Sequence, residues 1–267
     1  MKHRLLLCIS LFCSLCMLDA WGTNKQQKQF KRINKESWKL QVACDMQSFD
    51  TACWVLDGLQ GAISSSKKGL LLKAGPFIDN DSSHVVLWYK RMFSGDIKIE
   101  YDYTRMDTSR AGSVNIIYFH AKGSGIAPYT DDIMDWCDLR KVPAMKTYFN
   151  HMNTYHISYA VTATAKEPYD DYIRARQYNP LANKGLKGTD LKPDYLNNYL
   201  FKYGIKYHIT VILRNDKIFM QVCGDNRRSL FCFEIDSKNK LTQGYVGFRQ
   251  MWGRCSRYKN LKIYTIE

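Results

Sequence analysis

The chain has 267 residues, 45% hydrophobic and 13% aromatic, with a formal net charge of +14 at pH 7. It is too apolar for a disordered polyelectrolyte, is long enough to bury one sizeable core, and has no Pro/Gly/Ser-rich linker that would divide it. A charge of this size draws polyanions, but the lysines are dispersed, with no run longer than Lys67-Lys68. Nucleic acid, which requires basic residues clustered among exposed aromatics, is therefore disfavoured against acidic polysaccharide.

The first elements read as a secretory leader over residues 1–22. Lys2, His3 and Arg4 give a basic start, Leu5 to Leu18 an apolar run too short to span a membrane, and Ala20 and Gly22 small residues before a cut at Thr23. Cys16 makes a lipid anchor the competing reading, but Leu15 before it is bulkier than a lipidation site wants. Losing two basic and one acidic residue with the leader still leaves +13. The expected location is secreted or periplasmic, and the mature chain is expected to be a monomer. Residues 23–36 are polar and lysine-rich and are expected to form a flexible leader to one domain over 37–267.

Three of the nine cysteines fall in residues 1–22, which leaves Cys44, Cys53, Cys137, Cys223, Cys232 and Cys255. An even number in an exported chain permits disulfides, in fifteen full pairings. Cys223 and Cys232 flank a turn and are expected to face each other across a hairpin; Cys44 and Cys53 are the other close pair.

Strand-like runs then recur: Lys39 to Val42, Trp54 to Leu56, Gly69 to Ala74, His84 to Tyr89, Gly95 to Arg105, Ser113 to Ala121, Tyr155 to Thr164, Asp171 to Arg176, Tyr207 to Leu213, Lys217 to Val222, Leu230 to Ile235, Gly244 to Met251 and Lys259 to Tyr264. Short strands with turns between them and few helical patterns predict an all-β sandwich or jelly roll of two antiparallel sheets. Two long connections interrupt the rhythm, Lys122 to Asn153 and Tyr178 to Gly204, and are read as cleft walls or surface loops with at most one helical turn at Asp131 to Asp138. Asp79-Asn80-Asp81 offers oxygen ligands for a structural calcium, although an Asx turn explains it more simply; no cofactor is otherwise implied.

The chemistry-bearing residues follow from a side-chain period of two. In the Gly244 run, Val246 and Phe248 point to the core while Tyr245, Gly247, Arg249 and Met251 face the other way, a glycine leaving room beside an arginine. In Val114 to Lys122, Tyr118, His120 and Lys122 share a face with Ile116, and Gly123-Ser124-Gly125 lets the chain pass close to a ligand. In His151 to Tyr159, Asn153, His156 and Tyr159 bring acid, base and hydrogen-bonding groups. Tyr172, Arg174 and Arg176 share one face and suit either forked recognition of a carboxylate or a cross-strand salt-bridge ladder.

The segments Phe119-His120-Ala121-Lys122-Gly123, Tyr155-His156-Ile157-Ser158-Tyr159, Tyr207-His208-Ile209-Thr210-Val211, Gly247-Phe248-Arg249-Gln250-Met251 and Tyr258 to Tyr264, in this order, resemble the YesU-like family over roughly residues 84 to 267. The resemblance implies a concanavalin A-like β-sandwich and a setting among proteins that break down complex polysaccharides. The closing pattern is also similar to 3-keto-disaccharide hydrolase domains. The basic insert around Tyr178 to Lys206 and the six cysteines depart from the pattern.

A retaining hydrolase needs two carboxylates about 5 Å apart; Glu100-Tyr101-Asp102 has the right parity, but surface pairing with Lys98 accounts for it. A β-eliminating lyase on a uronate needs a cation or amide on the sugar carboxylate, a base for the C5 proton and an acid for the leaving oxygen. The inventory fits: Arg176 or Arg249 with Asn153 or Gln250, His156 or His120, and Tyr159 or Tyr118, with Lys122 and Arg174 as further substrate contacts. The rivals are hydrolysis on the same fold and a carbohydrate-binding module with no chemistry, in which Trp88, Tyr118, Tyr159 and Trp252 stack on sugar rings.

Overall fold

The computed structural model describes residues 18–20, 22–182 and 185–266; most of the expected leader, residues 1–17 and 21, lies outside the described residues. In chain order the strands are β1 (Leu18–Ala20), β2 (Lys39–Cys44), β3 (Trp54–Asp57), β4 (Ala62–Ser66), β5 (Gly69–Lys73), β6 (Val85–Tyr89), β7 (Phe93–Ser94), β8 (Asp96–Arg105), β9 (Asn115–Gly123), β10 (Met152–Tyr159), β11 (Tyr172–Tyr178), β12 (Asp190–Leu196), β13 (Lys206–Arg214), β14 (Lys217–Gly224), β15 (Arg227–Glu234), β16 (Gln243–Gln250) and β17 (Cys255–Ile266). The helices are α1 (Asn24–Asn34) and α2 (Met145–His151), with a longer 3-10 segment over Ile133–Arg140.

The strands form two antiparallel sheets, as the alternation predicts. One has nine strands in the order β1-β15-β14-β13-β8-β17-β5-β4, with β2 also on β17; the other has eight, β12-β11-β10-β9-β16-β6-β3, with β7 on β16. Among the described strands only β1 pairs in parallel, with β15. Every second residue of the central strands points between the sheets: Ile97, Ile99, Tyr101 and Tyr103 of β8 meet Ile117 and Phe119 of β9, Tyr155, Ile157 and Tyr159 of β10, and Val246 and Phe248 of β16 in one buried core.

Residues 23–36 are not a flexible leader. Thr23 caps α1 through its Oγ1, which accepts from Gln26 N at 3.2 Å, while Gln26 Oε1 accepts from Thr23 N at 2.8 Å. Phe30 and Ile33, three residues apart and therefore on one helix face, pack on Ile212, Phe219 and Leu230 of the nine-stranded sheet. The lysines that make the segment read as solvated occupy the opposite face. Neither is there a disulfide among the described residues, where all six cysteines are free thiols. The hairpin of β14 and β15 sets Cys223 opposite Arg228 and Cys232 opposite Phe219, so the two cysteines never meet. At Asp79 to Asp81 the chain makes the Asx turn, with Asn80 Oδ1 accepting from Ser82 N at 2.9 Å.

The docking of α1 yields the first prediction. Truncating Phe30 or Ile33 to Ala removes buried atoms and leaves a cavity, so each should cost about 2–4 kcal/mol in a urea melt. Unchanged midpoints would restore the flexible leader.

Candidate functional site

The outward side chains of the eight-stranded sheet are where the predicted chemistry collects. Tyr118 of β9, His156 of β10, Tyr178 of β11, Trp88 of β6 and Arg249 of β16 all lie on this face, each buried. Strand pairing brings them side by side: His156 is opposite Tyr118 on one side and Arg176 on the other, and Gly247, two residues before Arg249, is opposite both Tyr118 and Trp88. The ring centres of Tyr118 and His156 are 5.9 Å apart, and those of His156 and Tyr178 5.0 Å. Gly247 makes the packing possible, because a Cβ there would fall 2.4 Å from Trp88 Cε3. Trp88 can therefore lie flat across the strand and stack on Tyr118 at 5.5 Å.

Residues 133–151, read from sequence as loop, cover this face. The cover contributes Tyr148, stacked 5.8 Å from Tyr118, and Arg140. One carboxylate pins both: Asp57 Oδ2 accepts from Arg140 Nε at 2.7 Å, Tyr148 hydroxyl at 2.8 Å and Trp88 Nε1 at 2.7 Å. Burial alone would weaken the charge on Arg140, but Asp57 more than offsets it and raises the guanidinium above its ordinary range. Arg249 ties the cover a second time, with Nη2 donating to Pro143 O at 2.5 Å and contacting His84 Nδ1 at 2.7 Å. The same Nδ1 lies 3.3 Å from Pro143 O and 3.5 Å from Asp81. Burial, reinforced by the Arg249 charge, takes His84 down to about 3.

What the cover leaves beneath it is a set of buried polar atoms with no hydrogen bond of normal geometry. Arg249 Nε and Nη1, the hydroxyls of Tyr118 and Tyr178 and Nδ1 of His156 are buried and make no hydrogen bond of normal geometry to any described residue. Groups like these are costly to bury unsatisfied. Burial, then the charges of Arg176, Arg249 and Arg174, drive the His156 imidazole well below its ordinary value, so it is neutral. Burial raises both phenols, while the nearby Arg249 charge acts in the opposite sense on each.

The other expected site residues lie elsewhere. Tyr159 points between the sheets, 5.2 Å from the Tyr103 ring, because its parity on β10 is opposite to that of His156. Gln250 likewise turns inward, 3.4 Å from Tyr258 hydroxyl. His120 breaks the alternation: its φ of 50° marks a bulge that returns Ala121 to the outer face beside Tyr118 and sends the imidazole to Leu241 O at 2.9 Å. Neither His120 nor Tyr159 can act as base or acid with Arg249. Lys122 is paired with Asp131 at 3.1 Å, and Asn153 Nδ2 donates to Gly123 O at 3.2 Å. Gly123 approaches its own chain rather than a ligand, since a Cβ there would lie 1.8 Å from Thr130 O. Arg174 and Arg176 do share the outer face, as a salt-bridge ladder to β12: Arg174 to Asp194 at 2.8 Å and Arg176 to Asp190 at 2.9 Å. Tyr178 extends that parity by one step. Trp252 is no open platform, being stacked on His84 at 4.6 Å. Asp57, Arg140 and Tyr148 carry no motif in the sequence.

The buried imidazoles make stability depend on pH. His84, His120 (lowered to about 4, chiefly by burial) and His156 all have folded values below the ordinary 6.5. The unfolded chain therefore binds more protons below that value, so the stabilisation is complete above pH 6.5 and is lost as pH falls toward 4. At pH 5 each imidazole should cost on the order of 2 kcal/mol relative to pH 7. A melting temperature unchanged from pH 7 to pH 5 would contradict this.

Comparison with known proteins places the architecture. The family described as Domain of unknown function (DUF1961) matches residues 43–263. A protein of unknown function with a galectin-like fold from Bacillus subtilis is similar at 20% identity and a TM-score of 0.65, over 85% of this chain and 96% of that one. Lectin UEA-II complexed with galactose is similar at 9% identity and a TM-score of 0.55, over 84% and 98%. The exoplasmic/lumenal domain of VIP36, in its Ca2+/Man3GlcNAc-bound form, is similar at 12% identity and a TM-score of 0.55, over 85% and 90%. No curated protein matches the sequence. These likenesses agree in fold with the concanavalin A-like sandwich implied by the YesU-like resemblance.

Proposed function

The chain belongs to the family described as Domain of unknown function (DUF1961), and from that premise we propose that it is an exported carbohydrate-active protein that cleaves a uronate-containing polysaccharide by β-elimination beneath the 133–151 cover. The observation that carries this reading is the clustering of Arg249, Tyr118 and Tyr178, with buried donors that make no hydrogen bond of normal geometry, around a neutral imidazole. Either bidentate edge of a guanidinium includes Nη2, so a carboxylate would be taken by Nη2 with Nε or Nη1 once Nη2 leaves Pro143 O, and the acidic sugar ring would then lie along the tyrosines. The galactose bound by lectin UEA-II and the Man3GlcNAc bound by the VIP36 domain, both of similar fold, and the chain's net charge of +14 support an acidic carbohydrate as the ligand class.

In the proposed reaction Arg249 neutralises the C6 carboxylate, which makes the C5 proton acidic. His156, with Nε2 3.3 Å from Ser158 Oγ and Nδ1 free, takes that proton. The electron pair left on C5 forms the C4–C5 double bond as the C4–O bond breaks, and Tyr118 or Tyr178 gives a proton to the departing oxygen. The carboxylates this face offers a retaining hydrolase are already committed: Asp57 to three donors, Asp190 to Arg176 and Asp194 to Arg174. For substrate to enter, residues 133–151 must swing away from Arg249.

A panel of pectic, ulvan-like and glycosaminoglycan substrates tests the proposal by the ultraviolet absorbance of the unsaturated product. At least one substrate should give a signal, and His156→Ala and Tyr118→Phe should each lower kcat by about a hundredfold or more. Reducing ends without that absorbance would mean hydrolysis; tight uronate binding with no turnover by the wild-type protein would mean a binding module.

A further inference from the structure

The outer face of the nine-stranded sheet carries a second feature that the proposed reaction does not use. Lys25, Lys28, Lys31, Arg32 and Lys35 are spaced mostly three or four residues apart, and the helical period gathers them on the side of α1 opposite Phe30 and Ile33. All five are exposed. The stripe runs about 15 Å along the helix.

Nothing in the neighbourhood neutralises it. The helix itself holds no acid, and the acids beside it are spent on cations of the sheet: Glu36 and Asp96 on Arg214 at 2.9 and 3.1 Å, and Glu234 on Lys217 at 3.1 Å. Lys98, which reaches Asn34 from β8, lies 3.7 Å from Glu100. The five helical cations are left without a counter-charge among the described side chains. Nor does stability account for the stripe. Lys25 sits in the first turn, where the positive end of the helix dipole disfavours a cation. Lys28 and Arg32, and Lys31 and Lys35, are like charges four residues apart, a spacing that destabilises a helix. The capping box and the docking of Phe30 and Ile33 hold α1 in spite of them. An arrangement that costs local stability and has no partner within the chain is of the kind a ligand completes.

The shape and chemistry of the stripe narrow that ligand. A helix lying on a lipid surface needs an apolar face for the bilayer, and the apolar face of α1 is already buried on the sheet. Phe30, its sole aromatic, is buried as well, so no ring is offered on which bases could stack. The complementary partner is a linear, hydroxylated chain with an anion on each repeat.

We propose that α1 is a docking strip for an acidic polysaccharide chain, on the face of the sandwich opposite Arg249. It shares the ligand class of the uronate reading but none of its residues, and it needs no turnover. Titration of the full chain with fluorescein-labelled polygalacturonate, read by anisotropy at rising salt, tests it. Lys25→Gln, Lys28→Gln, Lys31→Gln and Lys35→Gln combined keep a good helix former at each position, and should weaken binding about tenfold or more and flatten its salt dependence. A control of equal net charge, Lys67→Gln, Lys68→Gln, Lys166→Gln and Lys238→Gln combined, all at exposed positions, should bind as the wild type does. Circular dichroism checks both for an unchanged fold. Product absorbance is followed in the same samples, so missing turnover counts against the uronate reading alone. Equal weakening in both variants, or none in the helix variant, would overturn the docking strip. So would tighter α1-dependent binding to phosphatidylglycerol vesicles or to single-stranded DNA.

Discussion

The arrangement around the eight-stranded sheet depends on one buried cation, Arg249. Strand parity sends its side chain outward, yet residues 133–151 close over it, so the guanidinium is fully buried beside an aromatic cluster. A buried charge is tolerated only where its donors are met, and here they are met in part. Nη2 is spent on Pro143 O and His84, whereas Nε and Nη1 make no hydrogen bond of normal geometry. The same residue holds the cover down and presents the donors that a carboxylate would satisfy. Binding of an acidic sugar and movement of the cover are therefore linked through one side chain.

Asp57 is the counterweight. It gathers Arg140 and Tyr148 from the cover and Trp88 from the sheet onto one oxygen. Breaking a buried pair of this kind by removing one partner leaves an uncompensated charge and costs about 3–5 kcal/mol, which is why the cover sits closed on an aromatic layer of Trp88, Tyr118 and Tyr148. Gly247 beneath that layer and the bulge at His120 beside it are backbone features that set its flatness and its edge. The outer layers of the molecule are thus differently built: an occluded, cationic and aromatic one on the eight-stranded sheet, and on the nine-stranded sheet a helix with its lysines exposed.

The sandwich was legible because alternation is a local property. Thirteen runs chosen by period each overlap a strand, although Tyr155 to Thr164 overruns β10 by five residues, and Val246 and Phe248 in, Arg249 out, with glycine beside it, holds as read. The strands missed are short or carry Pro193 on an edge, where patterning is weakest. The candidate site was only half legible. Parity joined Tyr118, Arg249, Arg174 and Arg176 on one face, but it cannot anticipate a bulge, so His120 was assigned to the wrong side. Nor was parity applied strictly within β10, where His156 and Tyr159, three residues apart, must point oppositely. Asp57, Arg140 and Tyr148 were invisible because they meet across 83 and 91 residues of chain, through a cover whose helical turns carry little periodic signal. Residues 23–36 misled for another reason: lysine content hid the spacing of Phe30 and Ile33.

The most direct test of the account is a crystal structure of the protein with a uronate oligosaccharide bound. The account predicts a sugar carboxylate within hydrogen-bond distance of the Arg249 guanidinium, with Nη2 released from Pro143 O, the ring between Tyr118 and Tyr178 with His156 toward C5, and residues 133–151 displaced from Pro143 to Tyr148. A complex in which the cover stays closed over Arg249 while the sugar occupies another surface would contradict it.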